Sequence, residues 1–284
     1  MATWTTRRRA GRAARSARSS GRRVADSGPM RWLARAGLAA RGVLYLAIGW
    51  IAVQVAFGHS GRQADRTGAL HAIGTTPAGS FLLWLLVIGF IGMAAWQLSV
   101  AVYGPPGSGG RQAGERLAAF GRTVVYAVLA YGVLDYALGT GEPRSSDKQS
   151  VDLTATLMKY PGGQALVVVA GLVLIGGGIY LAYRSWREKF RGDLVLGQTP
   201  PRIRRVVEWL GKFGGIARGA VFVTAGSFLV VAAVQARPQQ AKGVDSALRA
   251  LAATPLGPWL LVLVAIGLIM FGLFSCCQAR WERL

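Results

Sequence analysis

Long uncharged runs alternate with short charged segments along most of the chain. Runs with no Asp, Glu, Lys or Arg cover 42–61, 72–110, 160–183, 219–236 and 250–279. A sixth, 117–138, is broken only by Arg122 and Asp135 near its two ends. A helix needs about 20 mainly apolar residues to cross the hydrocarbon of a bilayer. The pattern therefore predicts six spanning helices, at 38–58, 80–103, 118–139, 164–186, 216–236 and 256–279. The fold class is an all-α integral membrane bundle.

Composition agrees. Of 284 residues, 52% are hydrophobic and 16% are charged, against about 25% charged in soluble proteins. Water could not solvate that much apolar surface, which excludes an ordinary cytosolic enzyme. The net charge of +21 is the kind of imbalance that often marks a nucleic-acid binder. Here the basic residues sit between apolar runs and in an N-terminal tail, so membrane topology explains them and no nucleic-acid partner is expected. Counted by alternate connections, 25 Lys and Arg fall on the side of the termini and 8 on the other. That asymmetry places both termini in the cytoplasm. The strong preference for Arg over Lys, with abundant Ala and Gly, reads as the coding bias of a GC-rich bacterium and points to a multi-pass protein of the cell (inner) membrane.

Residues 1–30 hold eight Arg between Arg7 and Arg23. They read as a disordered cytoplasmic arm drawn to anionic headgroups; the following apolar run is too long for a signal peptide. The connection around Arg184–Gly215 is the largest cytoplasmic loop and is basic throughout, which suits the same leaflet surface. Cys276 and Cys277 are adjacent and support neither a disulfide framework nor a zinc site. Motifs of zinc proteases, serine hydrolases and phosphate-loop enzymes are absent, so no catalytic residue and no cofactor is expected.

A repeat underlies the spans. Arg41-Gly42-Val43-Leu44-Tyr45, Arg122-Thr123-Val124-Val125-Tyr126 and Arg218-Gly219-Ala220-Val221-Phe222 open the odd helices. Small residues recur four before each Arg (Gly37, Ala118, Gly214), eight after (Gly49, Ala130, Gly226) and fifteen after (Ala56, Ala137, Ala233). Those offsets share one helical face. Before the even helices, residues 246–255 align without gaps on 68–77, both ending in Thr-Pro, and the middle copy ends in Tyr160-Pro161. Two residues past each Pro is Gly79, Gly163 or Gly257, and nineteen past is Trp96, Tyr180 or Phe274. The outer segments before each Pro read either as short interfacial helices capping the bundle or as plain connectors.

These motifs resemble a bacterial membrane family known as domain of unknown function 1206, whose unit is a pair of transmembrane helices occurring three times. The middle copy departs, with Thr123 for Gly and Tyr160 for Thr. The resemblance implies fold and location and brings no catalytic residue. The chain divides into the arm (1–30), three two-helix repeats (31–108, 109–190 and 207–284) and a basic linker (191–206). Hairpins entering from one side make parallel repeats, which close most simply into a pseudo-threefold bundle.

Arg41, Arg122 and Arg218 are the leading functional candidates, with Tyr45 and Tyr126 one turn deeper. In the plainer reading they snorkel to inner headgroups. In the sharper one they face inward with the small residues and form a basic ring for a lipid phosphate or another anion. Asp135 is the only acid within a predicted span and is either an interface carboxylate or a proton or cation site. His59 and His71 lack the acids or thiols that would complete a metal site, so none is expected. Gly176, Gly177 and Gly178 read as a close helix contact.

A non-enzymatic interaction, accessory or lipid-associated role fits best, with membrane lipids, above all anionic headgroups, as partners. The alternatives are a small transporter using the inward Arg set and Asp135, and a membrane enzyme acting on lipids.

Overall fold

The computed structural model describes residues 28–57, 64–104, 113–139, 146–188, 199–241, 243–252 and 257–281. The basic arm up to residue 27, His59, the first half of the linker and Thr254-Pro255 lie outside these residues. Among the described residues the structure is helical, with no strand. The helices are α1 (Gly28–Ala56), α2 (Arg66–Gly74), α3 (Gly79–Tyr103), α4 (Ala113–Ala137), α5 (Ser146–Met158), α6 (Gly163–Trp186), α7 (Pro201–Val234), α8 (Val244–Ala252) and α9 (Gly257–Trp281). Helices α1, α3, α4, α6, α7 and α9 are long and apolar enough to cross a membrane. The six predicted spans are all present.

The odd spans begin earlier than their apolar runs. α7 starts at Pro201 rather than near 216, so the end of the basic linker is helical. Three features extend it. Pro201 occupies the first helical position, where its missing N–H costs nothing. Arg204 and Glu208 pair one turn apart at 3.0 Å. Val207, Gly211 and Gly214 are buried along one face. A charged turn reads as loop when only apolar runs are followed, but once one face is covered, the charges can stay helical and reach water.

Glycine sets how closely the spans approach, because without a β-carbon two backbones can touch. A β-carbon on Gly42 of α1 would lie 2.9 Å from the Gly272 carbonyl oxygen of α9, and one on Gly272 would lie 2.9 Å from that of Gly42. Gly178 of α6 and Gly219 of α7 stand in the same reciprocal relation at 2.6 Å. These are one interface used twice. Gly219 and Gly226 are Gly42 and Gly49 shifted by 177 residues, and Gly272 and Ala265 are Gly178 and Gly171 shifted by 94. Each joins the first helix of one repeat to the second helix of its neighbour. Because residue numbers rise along α1 as they fall along α9, the pair is antiparallel, and the outer ends of the first and last spans share one end of the bundle.

Within a repeat, Gly37 packs on Gly89 and Met93, and the equivalent Gly214 packs on Phe271. The middle repeat departs from this pattern. Its α4 packs on α3 and its α6 on α7, but among the described residues α4 and α6 make no extended contact with each other. The residues that should meet by register are Ala118, Val173 and Gly177. All three are exposed, and nothing lies within 4 Å of a β-carbon placed on Gly177. Tyr180, equivalent to the buried Trp96 and Phe274, is 59% exposed. The ring of spans is open at this seam.

The core lies around α1. Leu38, Ile51, Leu86, Phe90, Val133, Leu261 and Leu268 are almost fully buried between α1, α3, α4 and α9.

At the far end, the segments before each Pro are helices. The glycine two residues after Pro has a steric reason. A β-carbon on Gly79 would lie 2.5 Å from the Gly74 carbonyl oxygen, and one on Gly163 would collide with that of Leu157. Three aspartates organise this end. Asp65 caps α2, accepting from the Gly68 amide at 3.0 Å. Asp147 of the second repeat accepts from the Gly243 amide of the third at 2.7 Å, and from the Ser246 hydroxyl. Asp245 of the third accepts from the Ala64 amide of the first at 2.7 Å and from Arg249 at 2.8 Å. Hydrogen bonds to a charged group contribute about 1.5–3 kcal/mol each, so this layer adds to the helix contacts that join the repeats.

Candidate functional site

The repeated arginines lie toward the end of the bundle where α1 starts and α9 finishes, and the structure treats each differently. Arg41 is half-buried and spans all three repeats. Its Nε donates to Ser275 Oγ at 3.2 Å, Nη1 to the Tyr126 hydroxyl at 3.2 Å and Nη2 to Gln278 Oε1 at 2.5 Å. Ser275 and Tyr126 are buried. Arg41 is thus a three-way tie.

Arg218 is also half-buried and faces the bundle, but it meets rings rather than acceptors. Its guanidinium carbon lies 5.5 Å from the Tyr45 ring centre, 5.1 Å from Phe222 and 4.9 Å from Phe271. Its Nε is buried without a hydrogen-bond partner among the described residues. Phe271 stands between the two cations, with Arg41 5.4 Å away and Tyr45 edge-on at 4.8 Å. Each cation–π contact contributes about 0.5–2 kcal/mol, more when desolvated. The cluster sets two guanidiniums around one phenyl ring.

Arg122 breaks the expected ring. It is exposed on α4, while its repeat-mate Tyr126 is buried and serves Arg41 instead. Gln97, which stands on α3 where Ser275 stands on α9, is 3% exposed with Oε1 unpartnered. The middle repeat therefore leaves open the polar link that Arg41 and Ser275 close. Of the three equivalent arginines, two are half-buried against neighbouring helices and one is exposed.

Asp135 is not part of this cluster. It lies half-buried two residues from the end of α4, thirteen residues or about 20 Å from Arg122 along the helix. Beside it is the far-end layer: the Arg66 guanidinium approaches within 3.1 Å of a β-carbon on Gly132, one turn away. Burial pushes Arg66 below the ordinary arginine range, and Asp65 partly restores it. His71 is exposed, and among the described residues no three His, Cys, Asp or Glu side chains gather to hold a metal ion.

Phe271, Ser275 and Gln278 contact the arginines at positions that following the apolar runs misses. Their spacing places them on one face of α9, and two polar residues near the end of an otherwise apolar span are the available signal. Asp147 and Asp245 escape because their partners are backbone amides of loops distant in sequence.

Comparison with known proteins fits this architecture. The family described as domain of unknown function 1206 matches at residues 36–104, 117–188 and 213–282. Uncharacterized protein YxxB of Bacillus subtilis (strain 168) is 29% identical over 252 residues, covering 88% of this chain and 90% of the relative. No solved structure matches. Three matched copies, one on each of the three helical hairpins, place the chain in the domain of unknown function 1206 family.

Proposed function

We propose that the protein is a non-enzymatic, lipid-associated protein of the bacterial inner membrane, with both termini cytoplasmic and its repeats in a pseudo-threefold arrangement. In this reading the cluster at the cytoplasmic side binds the phosphate of an anionic lipid. The observation that carries it is Arg218, a buried-Nε cation inside a span, surrounded by three aromatic rings and offered no carboxylate among the described residues. Uncompensated charge in hydrocarbon is expensive, and a lipid phosphate is the nearest abundant anion. Depth supports this. Arg218 precedes Val234 by sixteen residues, about 24 Å at 1.5 Å per residue. Hydrocarbon is about 30 Å thick, so the guanidinium lies roughly one helical turn below the inner headgroups.

A three-arginine transport path gains no support, because Arg122 faces away and the space between α1, α3, α4 and α9 is packed with apolar side chains.

The test compares thermal unfolding in nanodiscs of phosphatidylglycerol and phosphatidylcholine. The wild type is expected to be several degrees more stable in phosphatidylglycerol, and Arg218→Gln to lose most of that difference while remaining folded. An equal difference in the variant would reject Arg218 as the phosphate site.

A further inference from the structure

The first turns of α7, together with α9, enclose a groove of about 360 Å³ lined by Arg202, Arg205, Val206, Trp209, Leu210 and Met270. Its two halves differ in chemistry. Val206, Trp209, Leu210 and Met270 make an apolar wall, and the indole of Trp209 is held by stacking on Phe213 at 5.0 Å. Val206 and Trp209 are more than half exposed, so the wall is open to whatever surrounds the bundle.

The polar half carries charge in an unfavourable place. Arg202 and Arg205 sit in the opening turns of a 34-residue helix with no acid in its first turn, where the helix dipole already supplies partial positive charge. Neighbouring Arg204 is neutralised by Glu208. Arg202 and Arg205 are exposed and meet no acceptor among the described residues. Two guanidiniums plus a helix N-terminus beside an apolar wall match a ligand with an anionic head and a hydrocarbon tail.

We propose that this groove binds one anionic phospholipid of the cytoplasmic leaflet, its phosphate on Arg202 and Arg205 and an acyl chain along Val206, Leu210, Trp209 and Met270. The site is distinct from Arg218, whose guanidinium faces the interior rings.

The test uses the full chain in phosphatidylcholine vesicles doped with a small fraction of lipid brominated on its acyl chains. The quenching of Trp209 is isolated as the difference between wild type and Trp209→Phe. Brominated phosphatidylglycerol is expected to quench Trp209 at least threefold more than brominated phosphatidylcholine. The double variant Arg202→Gln/Arg205→Gln should lose that preference, and Arg204→Gln should keep it. Arg218→Gln should also keep it, which separates failure of this site from failure of the interior one. Equal quenching by the two lipids, or a preference that survives in the double variant, would overturn the proposal.

Discussion

Leucine at position 178 should break the contact between α6 and α7, while leucine one residue earlier, at 177, should leave the protein intact. The two glycines are adjacent in a run that sequence alone cannot divide. A β-carbon on Gly178 would lie 2.6 Å from the Gly219 carbonyl oxygen and 2.9 Å from a Val223 methyl. The oxygen is backbone and cannot swing aside, and Gly219 presses back on Gly178 in the same way. Overpacking usually costs about 1–3 kcal/mol and more where backbones must separate, so a loss of about 3 kcal/mol or more is expected. Gly177 faces open space. Leucine there removes the helical penalty of glycine, about 0.5–1 kcal/mol, and presents an apolar side chain to lipid. Thermal unfolding in detergent should show Gly178→Leu far below wild type and Gly177→Leu equal to it or above. Equal losses would mean that α4 and α6 close on each other and the seam does not exist.

The second large effect concerns the arginines. Arg41→Met should destabilise by about 4 kcal/mol or more, because Ser275, Tyr126 and Gln278 lose the donor that satisfies them and hydrogen bonds to charged groups contribute about 1.5–3 kcal/mol each. Removing a charge from the membrane offsets part of this. The offset is small near the interface, and Arg41 lies fifteen residues before Ala56, about 22 Å down a span of about 30 Å. Arg122→Met, at the equivalent place in the middle repeat, should change stability by less than about 0.5 kcal/mol, as exposed substitutions usually do. At about 2–4 °C per kcal/mol, the contrast is measurable. Equal shifts for the two variants would contradict the different roles read from their surroundings.

Much of this architecture is legible in the amino-acid sequence. Apolar runs locate all six spans, because the cost of unpaired backbone in hydrocarbon forces a helix wherever such a run crosses. The small residues at fixed offsets from each Arg mark real contact faces: Gly37, Gly49, Gly214 and Gly226 all sit against a neighbouring helix. The helix starts are not legible. Amphipathic turns such as 201–215 carry too many charges to register as apolar, although their buried side is continuous with the span. The repeat also overstates equivalence. Thr123 and Tyr160 signal that the middle copy is looser, but only contacts show that α4 and α6 part and that Arg122 turns outward. The inner cluster is half legible: repeated spacing within the chain points to Arg41 and Arg218, whereas Phe271, Ser275 and Gln278 lie on a different helix and join the arginines through the fold alone.

The proposed placement of this triplicated hairpin in a bilayer, with its ends on the cytoplasmic side, is tested most directly by paired C-terminal fusions expressed in a bacterium. After removal of soluble protein, a green fluorescent protein fusion should fluoresce from the membrane fraction and an alkaline phosphatase fusion should be inactive. An active phosphatase with a dark fluorescent partner would reverse the orientation, and recovery of either fusion in the soluble fraction without detergent would contradict membrane insertion itself.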